Sequence, residues 1–181
     1  MERSLLCAGF GGQGVMQIGK NVSKSAVYDH LNATFYPSYG AEMRGGTANC
    51  HVCIADGGID SPVKQHPDEL IVMNDLSYDK FIGVVKRGGR VYVNSSLIDA
   101  RYEGSDLEVY YVPCADIAQS LNAPLSANMV MMGYYVANSP WLKADHVEEV
   151  IRETFAKKPK VAEINVAAFR KGMEYYNDGN R

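Results

Sequence analysis

No apolar run in this 181-residue sequence reaches the roughly 18 residues that a membrane-spanning helix requires. A leader pattern is missing too. The chain passes through Glu2 and Arg3 into a short strand-like run, so the expectation is a cytoplasmic protein with reduced thiols. There is no basic excess: 18 Lys and Arg face 21 Asp and Glu, for a net charge of -3. Nucleic acid is therefore not an expected partner, because its phosphates demand a basic face. Only Lys157, Lys158 and Lys160 cluster, too briefly to change that reading. Metal patterns are also scarce. Cys50-His51-Val52-Cys53 is a single C-x-x-C, with Cys7 and Cys114 elsewhere. On a strand, residues i and i+3 point to opposite faces, so Cys50 and Cys53 diverge and share neither a metal nor a disulfide. The four histidines are dispersed and define no triad.

What is present is ordinary globular material, 46% hydrophobic and 22% charged, enough for one domain over residues 1–181. Apolar runs at Ser4–Ala8 and Leu70–Met73 predict buried strands, with further strands at Thr34–Tyr36, Arg90–Asn94 and Glu108–Val112. Thr47–Ala55 alternates as a strand does. Asp56-Gly57-Gly58 then predicts a turn, with Ile59 opening a return strand and hence one β-hairpin. Helical spacing marks Val15–His30, Leu76–Lys86, Ala115–Leu121, Asn128–Ala137, His146–Ala156 and Val161–Tyr176. Strands alternating with helices imply an α/β fold. The expected form is three layers, α/β/α, around a mostly parallel sheet.

Two segments carry chemistry. The first is CAGFGGQGVMQIGK, residues 7–20. Gly9, Gly11 and Gly14 follow the G-x-G-x-x-G spacing between a strand and a helix, a Rossmann-like opening. Glycines there permit positive φ and close backbone approach, and the helix start offers free N–H groups to an anion. The acidic residue expected about 20 positions later is missing from Thr34-Phe35-Tyr36-Pro37. Gly14 to Asn21 also imitates a phosphate loop, but Asn21 stands where a hydroxyl would bind magnesium. A dinucleotide site, a phosphate site and a bare strand-to-helix turn all remain open on these residues.

The second segment is PSYGAEMRGG, residues 37–46. Arg44 among glycines could present its guanidinium to a carboxylate or phosphate. The plain alternative is an exposed loop in which Glu42 meets Arg44 at little gain.

Together, GFGGQGV at 9–15 and YPSYGAEMRGGTANC at 36–50 resemble the gamma subunits of 2-oxoacid:ferredoxin oxidoreductases, most closely the 2-oxoglutarate type. LIVMN at 70–74, Gly88–Val91, Asn94-Ser95-Ser96, Val112-Pro113 and Asn128-Met129-Val130 extend the resemblance in order along nearly the whole chain. It implies a complex that decarboxylates a 2-oxoacid oxidatively with coenzyme A, giving acyl-CoA, carbon dioxide and reduced ferredoxin. It also implies that thiamine diphosphate, Mg2+ and the [4Fe-4S] clusters sit on the alpha and beta chains, and on a delta chain where there is one. This chain would carry no cofactor of its own. The resemblance further implies that Gly9, Gly11, Gly12, Gln13 and Gly14 contact coenzyme A or another anion. Tyr39, Glu42, Arg44, Gly45, Gly46 and Asn128 would form an interface or the mouth of the site. An isolated copy, its docking face uncovered, could pair as a homodimer. The rival readings are a free-standing NAD(P)-dependent oxidoreductase and a ligand-free scaffold.

Overall fold

The computed structural model describes residues 1–39 and 47–180, with Tyr39 given by its backbone alone. Six strands form one sheet: β1 (Glu2–Phe10), β2 (Asn32–Tyr39), β3 (Thr47–Ala55), β4 (Glu69–Val72), β5 (Arg90–Asn94) and β6 (Glu108–Val112). Their spatial order is β2-β3-β1-β4-β5-β6. β3 runs antiparallel to both neighbours, and the other five strands share one direction. The mostly parallel sheet is thus as expected from the alternating pattern.

The hairpin is not where the glycine turn placed it. β3 pairs back onto β2, Tyr39 opposite Ala48, and residues 40–46 that join them lie outside the described residues. No return strand follows Gly58 directly. Ile59 and its neighbours run irregularly to β4. The physical reason is edge occupancy: β3 is already flanked by β1 and β2, so a return strand would have no free backbone groups to pair with.

Among the described residues six α-helices complete the fold: α1 (Val15–Tyr28), α2 (Asp75–Phe81), α3 (Cys114–Ser120), α4 (Ala127–Ala137), α5 (Ala144–Thr154) and α6 (Pro159–Asn177). The expected Leu76–Lys86 helix ends early, passing into a 3-10 turn at Ile82–Val84. In α1 the stripe Val15, Ile18, Val22 and Ala26 is fully buried. The helix stops where His30 takes φ 60° and the Leu31 N–H reaches back to the Ala26 carbonyl at 2.9 Å.

The layers are unequal. Leu5, Cys7, Val52 and Ile71 face a thick side built from α1, α4, α5 and α6. Leu6, Ala8, Leu70, Val72 and Val93 face a thin side closed by Tyr78 of α2, Val85 and Ile98. Alternate residues of β1 and β4 serve both cores, which is why those strands read as continuous apolar runs. α4 is buried on every face from Asn128 to Val136, because α6 covers its outer side. The two helices touch backbone to backbone. A Cβ at Gly133 would lie 1.9 Å from the Phe169 carbonyl oxygen, and one at Gly172 would lie 2.0 Å from that of Val130.

Candidate functional site

In open α/β sheets, ligands bind beyond the carboxyl ends of the strands, where successive connections leave for opposite faces. Here that point lies between β1 and β4: α1 leaves β1 for the thick side and α2 leaves β4 for the thin side. The glycine segment sits there.

Gln13 organises the crevice. Its Oε1 accepts from the Phe10 N–H at 2.7 Å and from the Asn74 Nδ2 at 2.8 Å, and its Nε2 donates to the Met73 carbonyl at 3.0 Å. One side chain therefore ties the end of β1 to the end of β4. Gly9 makes this possible, since a Cβ there would lie 2.9 Å from the Gln13 Oε1 and 2.8 Å from Val15. Asn74 in turn caps α2, accepting from the Ser77 N–H at 2.9 Å. Beside it Asn94, at the end of β5, donates to the Met73 carbonyl at 3.4 Å, while its buried Oδ1 has no partner among the described residues. Asn74 and Asn94 belong to this site, yet their side chains were not among the predicted site residues. The available signal was an asparagine at or just past the end of each buried strand.

Gly14 begins α1 with φ 74°, and its carbonyl accepts from the Asn128 Nδ2 at 3.3 Å. A Cβ on Gly14 would lie 2.3 Å from that Nδ2. Asn128 thus joins the glycine loop although 114 residues separate the pair. Gly11 and Gly12 are exposed and would meet nothing within 4 Å if a Cβ were added; Gly12 has φ 95°. Of the five predicted loop residues, Gly9, Gln13 and Gly14 are engaged within the chain, and Gly11 and Gly12 present backbone to solvent.

Glu42, Arg44, Gly45 and Gly46 lie outside the described residues, as does the Tyr39 side chain. Their flanks are informative. Thr47 pairs with Phe10 at the end of β1, and Lys80 Nζ donates to the Thr47 hydroxyl at 3.2 Å. The second motif therefore enters β3 beside the first. An open groove of about 440 Å³ continues from Asn128 along Leu125, Met129, Phe155, Val161 and Ile164.

The dinucleotide reading fails on topology. Its ribose-binding acid belongs at the end of a second strand next to the first. Here β3 separates them, moving β2 to roughly 9.6 Å from β1, two strand spacings. The strand itself, NATFYPSY, holds no acid. The phosphate-loop reading fails on packing: Gly19 lies within α1, where a Cβ would come 2.5 Å from Cys50 Sγ. As parity predicts, Cys50 lies in the thick-side core while Cys53 Sγ turns to the carbonyls of Ser61 and Pro62 at 3.5 and 3.7 Å. Among the described residues no group of three or more His, Cys, Asp or Glu could hold a metal ion, and no helix is long and apolar enough to cross a membrane.

A buried carboxylate with raised titration lies elsewhere. Glu69 opens β4 at the amino end of the strands, fully buried, accepting from the Tyr135 hydroxyl at 2.9 Å with Arg90 at 3.9 Å. Burial pushes its carboxyl above the usual range, against the lowering effects of Tyr135, Arg3 and Arg90.

Comparison with known proteins agrees with this architecture. The pyruvate ferredoxin/flavodoxin oxidoreductase family model matches residues 4–175. The ketoisovalerate oxidoreductase subunit VorA of Methanothermobacter thermautotrophicus is 34% identical over 93% of this chain, which spans about a third, 35%, of that relative. The 2-oxoglutarate synthase subunit KorC of Methanocaldococcus jannaschii is 33% identical, with 96% of this chain covering 94% of it. The keto/oxoacid ferredoxin oxidoreductase gamma subunit of Geobacter sulfurreducens superimposes with a TM-score of 0.82 at 25% identity, covering 97% of this chain and 99% of that one. The 2-oxoglutarate:ferredoxin oxidoreductase of Magnetococcus marinus, solved with 2-oxoglutarate, coenzyme A and succinyl-CoA, gives 0.89 at 21%, covering 98% of this chain and 31% of that one. With its fold in agreement and the family model spanning residues 4–175, the chain belongs to the pyruvate ferredoxin/flavodoxin oxidoreductase family.

Proposed function

We propose that this chain is the gamma subunit of a 2-oxoacid:ferredoxin oxidoreductase of the 2-oxoglutarate class, acting in the cytoplasm with residues 1–181 as one docking domain. The observation that carries this reading is the closed inner surface of the crevice. Gln13, Asn74 and Asn128 spend their amides on the chain itself, and the loop offers backbone rather than an acid, base or nucleophile. The similarity to KorC over nearly the full length of both chains supports the same assignment.

In this reading the reactive groups belong to alpha and beta partners, with a delta chain where the complex has one. The donor set agrees. Cys7, Cys50 and Cys114 are buried in the thick-side core and Cys53 faces the other way, so they do not converge on a cluster. Thiamine diphosphate, Mg2+ and [4Fe-4S] clusters would reside on those partners, coenzyme A would pass the exposed Gly11 and Gly12 amides, and ferredoxin would accept electrons from the assembled complex. The isolated chain would be inactive.

Affinity purification of the tagged chain from its own cell tests this. The expected result is co-isolation of larger chains, a brown preparation, and ferredoxin reduction that depends on both 2-oxoglutarate and coenzyme A. A colourless chain recovered alone would overturn the reading, as would saturable NADH binding with turnover by that chain.

A further inference from the structure

The sequence excludes Cys50 and Cys53 as a pair, but the sheet supplies Cys50 with a different neighbour. In the antiparallel ladder between β1 and β3, Cys7 stands directly opposite Cys50. Both side chains point to the thick-side core and both are fully buried. Directly opposed residues of an antiparallel pair have Cα atoms about 4.5–5.5 Å apart, inside the range of about 4.4–6.8 Å that a disulfide spans. Neither backbone need move far for the sulfurs to join. Cys114 is buried in the same core and Cys53 faces away, and neither stands opposite a cysteine in the β1–β3 ladder.

We propose that Cys7 and Cys50 are a reversible dithiol–disulfide couple, a redox-modification site inside the sheet. A hydroperoxide is the fitting oxidant, being small and neutral. One thiol sulfur takes an oxygen from hydrogen peroxide, which leaves as water, and becomes a sulfenic acid. The second sulfur then attacks the first, the S–S bond forms, and the sulfenic oxygen leaves as a second water. Two thiols are oxidised and one peroxide is reduced. Burial and the neighbouring Cys50 hold the Cys7 thiol well above the ordinary range, so the reaction is slow in the closed fold. Local opening of α1 from β3 sets its rate.

The link to the crevice is short. Cys50 Sγ now donates to the Val15 carbonyl at 3.5 Å, in the first turn of α1, and Cys7 lies two residues before Gly9. Turning Cys50 towards Cys7 releases that contact beside the glycine loop.

The test treats the full chain with hydrogen peroxide, both in buffer and in urea below the unfolding transition. Each sample is acid-quenched, alkylated in denaturant and peptide-mapped by mass spectrometry. The expected product has lost two hydrogens, links the Cys7 and Cys50 peptides, leaves Cys53 and Cys114 alkylated, and reverts with dithiothreitol. The variant Cys50→Ala should form no intramolecular disulfide. Should Cys7 and Cys50 stay alkylatable in both samples, or should another pair link first, the proposal is overturned. The urea arm removes access as an explanation, and the wild-type map stands even if the variant fails to fold. The mapping needs no partner chain, so it can fail while the subunit assignment stands.

Discussion

The two ends of the parallel strands differ in kind. At the amino end, Glu69, Tyr135 and Tyr92 form a buried polar cluster beside the half-buried Arg90, and burial raises the titration of all three. At the carboxyl end, the glycine crevice is built from neutral amides: Gln13, Asn74, Asn94 and Asn128. A search for perturbed carboxylates would choose the amino end. Yet Glu69 has its partners within the fold, and the open, topologically favoured crevice lies at the other end. In this family member, displaced titration marks a structural cluster, and the open crevice is lined by neutral amides and glycine backbone.

Four changes would break or sharpen that contrast. The largest effect tests neither end but the frame that holds both. Gly172→Leu drives a side chain into the Val130 carbonyl and should cost about 3 kcal/mol or more, or prevent folding, as read by urea unfolding. At the carboxyl end, Gln13→Ala strands the Phe10 N–H, leaves the Met73 carbonyl with the 3.4 Å bond from Asn94, and removes Asn74's acceptor. A loss of about 1–3 kcal/mol should follow, without any shift in the pH dependence of stability.

The amino end should behave oppositely. The folded-state pKa of Glu69 lies above its unfolded value, so the native state binds the extra proton. Its contribution is fully present below the unfolded pKa and is lost as pH rises through the folded one. Glu69→Gln should therefore gain on the wild type in denaturation midpoint as pH rises from acid to neutral. Equal pH slopes for the two proteins would remove the contrast. Smallest in stability is Gly11→Ala, which meets nothing and should stay within about 0.5 kcal/mol of the wild type. If the open backbone is the working surface, the same variant should weaken partner capture or raise the KM for coenzyme A in the assembled complex.

Much of the fold was legible in advance because periodicity survives burial. LIVM at 70–73 and SLLCA at 4–8 had to be strands covered on both faces, and the stripe from Val15 to Ala26 had to be a helix packed on one. The glycine segment was legible as a turn into that helix. Its purpose was not, since the same spacing serves a dinucleotide, an anion or plain packing. The hairpin was misplaced because Asp56-Gly57-Gly58 has good turn chemistry, whereas the free edge that a return strand needs belongs to the sheet as a whole. Asn128 was legible through the family resemblance alone, as nothing local says that it will touch Gly14.

By itself, the order of residues determined most of the strands and helices, which faces are apolar, and that Cys50 and Cys53 diverge, because these follow from periods of 2 and 3.6 along one chain. Only the tertiary structure decided that β3 inserts between β1 and β2, that Gln13 spans from β1 to β4, and that Cys7 meets Cys50. The last two contacts join residues 60 and 43 positions apart, and the competition among strands for open edges settles the pairing, a quantity that no local pattern contains.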